Sequence, residues 1–167
     1  MDKQSINYGE IDEGIRDLVQ KLNDIPFVAT QSSCEGHIRP SMADIFPDEG
    51  HALLDGGHII FRVDRRYKGG RHFLEEMARL PETYPFVALH VHHCKEFPCE
   101  IEGSHSISLG CEDLTDSEAF QGDTLEAHIK RRFQVPTQQG YQRLQEFRGV
   151  WANVLTIAER YVRNRAT

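Results

Sequence analysis

Long apolar runs are missing from this sequence. The longest reach only four or five residues, where a membrane-spanning helix needs ~20. No basic stretch followed by an apolar one stands at the N-terminus, so a cytoplasmic protein without a membrane partner is expected. Cysteine is scarce: Cys34, Cys94, Cys99 and Cys111 are too few and too scattered for a disulfide scaffold. No G-x-G-x-x-G follows an apolar strand pattern and no P-loop occurs, which removes the common dinucleotide and nucleotide-phosphate motifs. Positive charge is also short, with 19 Lys and Arg against 26 Asp and Glu and a net charge of −7. A strong sequence-independent grip on nucleic acid needs clustered cations, so tRNA or other nucleic acid is not the expected partner. Two basic clusters remain, Arg62, Arg65, Arg66, Lys68 and Arg71, and Lys130-Arg131-Arg132. Both read as solvated surface. Repeats and low-complexity segments are absent.

What is present suits one domain. A length of 167 residues with 39% hydrophobic and 27% charged residues can bury a core of ordinary size. Ile11, Ile15, Leu18, Val19 and Leu22 recur at the spacing of one helix face, and Asp24 and Pro26 end that helix. Residues 26–30 read as a short buried strand leading into a polar loop. Residues 38–56, with Pro40, Pro47 and Gly50, read as a long irregular loop or flap. Strands are expected at 58–63, 85–93 and 101–109, with a helix at 71–80 carrying Phe73, Met77 and Leu80. Asp123 or Thr124 caps a helix running to about Phe133, with Glu126 in its first turn. Pro136 breaks it.

A last helix is expected from Thr137 to Arg163. Its stripe comprises Tyr141, Leu144, Phe147, Trp151, Val154, Leu155, Ala158, Tyr161 and Val162. At ~40 Å it is long for a domain of this size, so part of the stripe is expected against a second copy, making a homodimer. The fold class that follows is α+β: a two-layer sandwich with helices on a mixed or antiparallel sheet, a single domain over residues 1–167, helical beyond about residue 114.

Three groups of residues could carry chemistry. The first is Ser32-Ser33-Cys34-Glu35-Gly36-His37, a polar loop at a strand end in which Gly36 can take a positive φ and let hydroxyls, a thiol and backbone N–H groups converge. An ordinary turn accounts for it equally well. The second is Ala88-Leu-His-Val-His-His-Cys94, whose alternation puts His90, His92 and Cys94 on one strand face. Those are zinc-type ligands, but residues i, i+2 and i+4 span about 13 Å and cannot all reach one tetrahedral ion. The third is Cys99, His105 and Cys111, which have no ligand spacing and read as structural.

Two of these segments together resemble the wybutosine-synthesis methyltransferase family, which acts on a hypermodified guanosine of tRNA. Ser32-Ser-Cys-Glu-Gly-His-Ile38 is similar to that family's Ser-Ser-Cys-Ser-Gly-Arg-Ile motif. Tyr84-Pro-Phe-Val-Ala-Leu-His-Val91 is similar to its Glu-Pro-Phe-Ile-Leu-His-Val strand. Gly56-Gly57-His-Ile-Ile-Phe61 stands where the family has a Gly-Gly-Trp strand, so the likeness covers roughly residues 10–95. It implies a two-layer α+β fold, a pocket shared by Ser33, Cys34, Gly36 and His90, and methyl transfer from S-adenosylmethionine without a metal. Glu35 stands where the family has serine, and His37 where it has arginine. The C-terminal Gly-x-Arg-x-Ser-Gly segment has no counterpart. Histidine cannot make the bidentate anion contacts of arginine, so S-adenosylmethionine binding is expected to be weak or absent and the ligand to be a small molecule or nucleobase.

The expected site is therefore one concavity between the loop 32–37 and the strand bearing His90. His37 or His90 would serve as general base, because imidazole titrates near working pH. Ser32, Ser33, Cys34, Gly36 and His92 would bind ligand. No metal is expected. The competing readings are a zinc protein using His37, His90, His92 and Cys34 or Cys94, and a non-catalytic dimeric binding module.

Overall fold

The computed structural model describes residues 6–39, 45–92, 102–116, 118, 120 and 122–163. A 3₁₀ turn at Tyr8–Glu10 precedes α1 (Glu13–Asp24), in which Ile15, Leu18, Val19 and Leu22 recur on one face and are all buried. Pro26 follows it, and β1 (Val28–Cys34) begins two residues later. Asn23 ties the two elements: its side chain donates to Thr30 Oγ1 at 2.6 Å and accepts from Thr30 N at 3.0 Å. The chain continues through β2 (His37–Arg39), β3 (His51–Asp55), β4 (His58–Asp64), α2 (Lys68–Met77), α3 (Leu80–Thr83), β5 (Val87–His92) and β6 (Glu102–Leu109). It then passes through α4 (Leu125–Phe133) and β7 (Gln134–Pro136) to α5 (Thr137–Arg163). Thr124 is the cap of α4, its hydroxyl accepting from Ala127 N at 3.1 Å.

Two antiparallel sheets result. The larger has strand order β1-β4-β6-β5, and the smaller β2-β3-β7. The α+β class and the helical layer over an antiparallel sheet are as the sequence suggested. The span 38–56 differs, because it holds β2 and β3 rather than only loop. Ala52, Leu53 and Leu54 are buried there at 6%, 1% and 0% exposure, and an apolar triplet of that kind is more stable paired between two strands than left in a flap. Pro136, expected only to stop a helix, ends β7, where its carbonyl-only backbone suits the edge of the small sheet. His93, Cys94, Cys99 and Ile101 lie outside the described residues.

α5 is the spine of the molecule, meeting α1, α2 and all three strands of the small sheet. Its buried face is Phe147, Val150, Trp151, Val154, Ile157 and Ala158, the i, i+3, i+4, i+7 pattern of one helix side. Val150 and Ile157 thus belong to the stripe, whereas Tyr141 is exposed. Against this face pack Ile59, Phe61, Val63, Ile107 and Leu109 of the large sheet, with Phe73 and Met77 of α2. Edge-on aromatic pairs lock the junction, Phe61 with Phe73 at 5.9 Å and Phe73 with Tyr161 at 5.4 Å between centroids. Tyr161 and Val162 pack partly buried on the same core. The apolar end on which pairing with a second copy was expected is thus partly covered within one chain.

Candidate functional site

The face of the large sheet turned away from α1, α2 and α5 is rich in histidine and serine. Directly paired residues of antiparallel strands share a face, and the register forms two polar rows. One is Cys34–His58–Ser108–Ala88, the next Ser32–Ile60–Ser106–His90. A third row adds Arg62, Ser104 and His92. The register of β1 shifts by one residue between Thr30 and Ser32. This bulge puts Ser32 and Cys34 on the polar face and sends Ser33 to the opposite side, in register with the core residue Ile59. Residues 32–34, expected in a loop, are therefore strand.

The polar face is cross-linked strand to strand. Ser32 Oγ and His58 Nε2 are 3.2 Å apart, His90 Nε2 and Ser108 Oγ 3.0 Å, and His92 Nε2 and Ser106 Oγ 2.8 Å. Ser104 donates to Gln31 Oε1 at 3.1 Å. Each histidine is thus oriented by a serine of the neighbouring strand. His105 points the other way. It is 2% exposed, stacks on Phe61 at 5.9 Å, and accepts from Arg65 at 3.4 Å through Nε2. Burial first, then the charges of Arg65 and His92, lower its pKa to about 4.

Where β4 begins and β6 ends, the polar face opens into a cleft of about 900 Å³ lined by His58, Ala88, His90 and Ser108, with Phe86, Arg132 and Arg143 deeper along its wall. Arg143 is buried and saturated. It donates to Gly110 O at 2.9 Å, to both Asp113 oxygens at 2.9 and 2.7 Å and to Glu146 at 2.8 Å, and it lies 4.4 Å over the Phe86 ring. Its guanidinium holds the Asp113 carboxyl below the usual range. Cys111, also on this wall, has its thiol pushed up to about 12, chiefly by burial. It hydrogen-bonds weakly to carbonyls, which suits a structural residue.

A second arrangement sits at the β1–β2 turn. Gly36 takes φ +94°, and a Cβ there would meet Phe147 Cδ2 at 2.8 Å and Gly57 N at 3.0 Å. Only glycine suits both the backbone and the space. Trp151 Nε1 donates to Glu35 O at 3.0 Å, fastening the turn to α5. Asp12 stands at the cap position of α1, yet its carboxylate makes no cap bond. One of its oxygens instead accepts from Glu35 N at 3.0 Å and lies 3.3 Å from His37 Nε2. Glu35 Oε1 stands 3.9 Å from His37 Nδ1. The Cys34 thiol pKa is raised, first by burial and then by Asp12 and Asp55, with the Gly36 backbone hydrogen bond opposing.

Of the residues selected from sequence, Ser32, Cys34, His90 and His92 share the polar face. Cys34 also meets His37 and Asp12 at the turn, with Gly36 supplying the bend. His37 and His90 line separate cavities, that of His37 being about 220 Å³ between the turn and Tyr141, Leu144 and Arg148 of α5. His58, Ser106 and Ser108 were missed, although alternation in His-Ile-Ile-Phe-Arg-Val and Ser-His-Ser-Ile-Ser-Leu marks them as facing away from the core. Asp12 carried no sequence signal. The basic clusters are largely paired: Arg66 is held by both oxygens of buried Asp64, and Lys130 by Asp48 and Glu126. The fold and face together define an α+β domain with a serine–histidine sheet surface. No family model matches the chain, and neither does any curated protein or solved structure.

Proposed function

We propose that the chain binds a small polar heterocycle of the nucleobase type in the cleft over the end of the large sheet, with His58 and His90 handling its protons. The observation that carries this is the pair of serine-oriented imidazoles flanking one cleft: His58 bonded to Ser32, and His90 to Ser108, itself the cross-strand neighbour of His58. Imidazole and hydroxyl groups both donate and accept, which is what the edge of a base requires. Ala88, the smallest side chain of its row, leaves space beside Ser108. The resemblance in sequence adds methyl transfer as the reaction class, and S-adenosylmethionine as its donor. The residues present do not fit that donor. Phe86 is covered by Arg143 and lies 5.8 Å from Phe147, and Phe133 has Arg132 at 5.3 Å. A guanidinium therefore takes up one face of each ring, which disfavours the stacking of an adenine there.

Calorimetric titration with a panel of free nucleobases and nucleosides, and with S-adenosylmethionine, tests the reading. Saturable binding of a heterocycle should be lost in His90→Ala and in His58→Ala while the unfolding midpoint stays put, since both side chains are on the open face. Binding indifferent to both substitutions, or no binding by any of the panel, would overturn it. Micromolar binding of S-adenosylmethionine would restore the methyl-transfer reading instead.

A further inference from the structure

The geometry points to a zinc site at the β1–β2 turn, made by Asp12, Cys34 and His37 and independent of the cleft. Three donor atoms of three kinds, a carboxylate oxygen, the Cys34 sulfur and a ring nitrogen of His37, lie within 4.8 Å of one another. Around a tetrahedral zinc with bonds of about 2.0–2.3 Å, neighbouring donors sit roughly 3.3–3.6 Å apart. Asp12 Oδ2 and His37 Nε2 already stand at 3.3 Å. The sulfur lies within 4.8 Å of both, and only Glu35 and Gly36 separate Cys34 from His37 across the bend.

The surroundings fit a metal better than a bare ion pair. Glu35 Oε1 stands 3.9 Å from His37 Nδ1, on the far side of the ring from the Nε2 that faces Asp12. Asp12 and Asp55 place negative charge around the thiol, and a dication would relieve the opposition between them and a thiolate. The donors are not an open surface cluster: Asp12 and His37 side chains are 31% and 38% exposed. Their backbone is fixed by the Trp151–Glu35 bond and by the close packing of Gly36. Thiolate with imidazole favours zinc over magnesium or calcium. Three protein ligands leave a fourth position for water, the pattern of a site able to polarise a ligand rather than only brace a fold.

The test uses the full chain stripped with chelator, then titrated with zinc against a chromophoric chelator and, separately, with cobalt(II). The wild type should take up zinc stoichiometrically and give a thiolate-to-cobalt charge-transfer band. Cys34→Ser and His37→Gln should each weaken zinc binding by about 100-fold or more, and the cobalt band should vanish in Cys34→Ser but persist when Cys94 and Cys99 are both changed to serine. Circular dichroism of each variant confirms folding, and Asp12→Asn supplies a third arm should one variant fail to fold. Absence of stoichiometric zinc in the wild type would overturn the assignment. A cobalt–thiolate band that survives in Cys34→Ser would do so too, placing the metal on the other cysteines.

Discussion

Acidification to pH 5 should destabilise this protein through one residue, His105. In the folded chain its pKa lies at about 4, against an ordinary 6.5, because its ring is buried against Phe61 and faces the Arg65 guanidinium. Between those two values the unfolded chain binds a proton that the folded chain refuses, so stability must fall as pH falls. The loss is about 2 kcal/mol at pH 5 and approaches about 3 kcal/mol near pH 4, a substantial share of the 5–15 kcal/mol typical of a domain. Asp48, Asp64 and Asp113 have carboxyls held below their ordinary 3.8. Their contribution is complete above that value and disappears only as pH falls through the lowered ones, so the two effects separate. Urea unfolding followed by the fluorescence of the single, buried Trp151 at pH 7, 6 and 5 measures the slope in the wild type and in His105→Leu. The wild type should lose stability across this range and the variant should stay nearly flat. Equal slopes in the two proteins, or a wild type indifferent to pH 5, would refute the assignment of the proton to His105.

Two substitutions probe the frame around the sites. Gly36→Ala forces a left-handed residue and a Cβ at 2.8 Å from Phe147; the strain and overpacking sum to about 2–4 kcal/mol, or a fall in Tm of roughly 5–15 °C by calorimetry. Arg143→Met keeps an aliphatic stem near Phe86 but removes the bonds to Asp113, Glu146 and Gly110 O, costing about 1–3 kcal/mol in urea titration. With the guanidinium gone, the Asp113 carboxyl returns toward its ordinary range, so the part of acid unfolding that belongs to it should disappear from the pH profile of the variant.

Helices were the most legible part of the sequence. The bounds of α5 and the Thr124 cap of α4 were readable because helix periodicity and capping are local properties, written into residues three or four apart. β2 and β3 were not, since Pro40, Pro47 and Gly50 signal irregular chain on either side of short strands whose stability comes from partners far away, β3 lying between β2 and β7. The Ser32-Ser33-Cys34 segment reads as loop in the sequence because it is polar. Polar strands have no hydrophobic alternation to betray them, and the bulge after Thr30 that decides which of these side chains faces outward exists only in the pairing with β4. His90 and His92 were readable as same-face residues. Their serine partners, and the meeting of Asp12 with Cys34 and His37, depend on register and on where α1 enters, which local sequence does not encode.

The position of α5 also governs when this fold can come into being. α1, near the start of the chain, packs on a helix more than a hundred residues later, so the contacts that close the core are among the most distant in sequence. Chains dominated by such distant contacts fold slowly, because loop entropy is surrendered before the contacts return anything. On the ribosome, the β strands emerge before the helix that covers them, and Ile59, Phe61 and Ile107 must wait without Phe147 and Trp151. That interval exposes a bare apolar sheet face, the kind of surface on which chaperones act and aggregation begins. A chain cut before Trp151 would remain in that condition, losing the large sheet's cover and the bond that fastens the Glu35–Gly36 turn in one stroke.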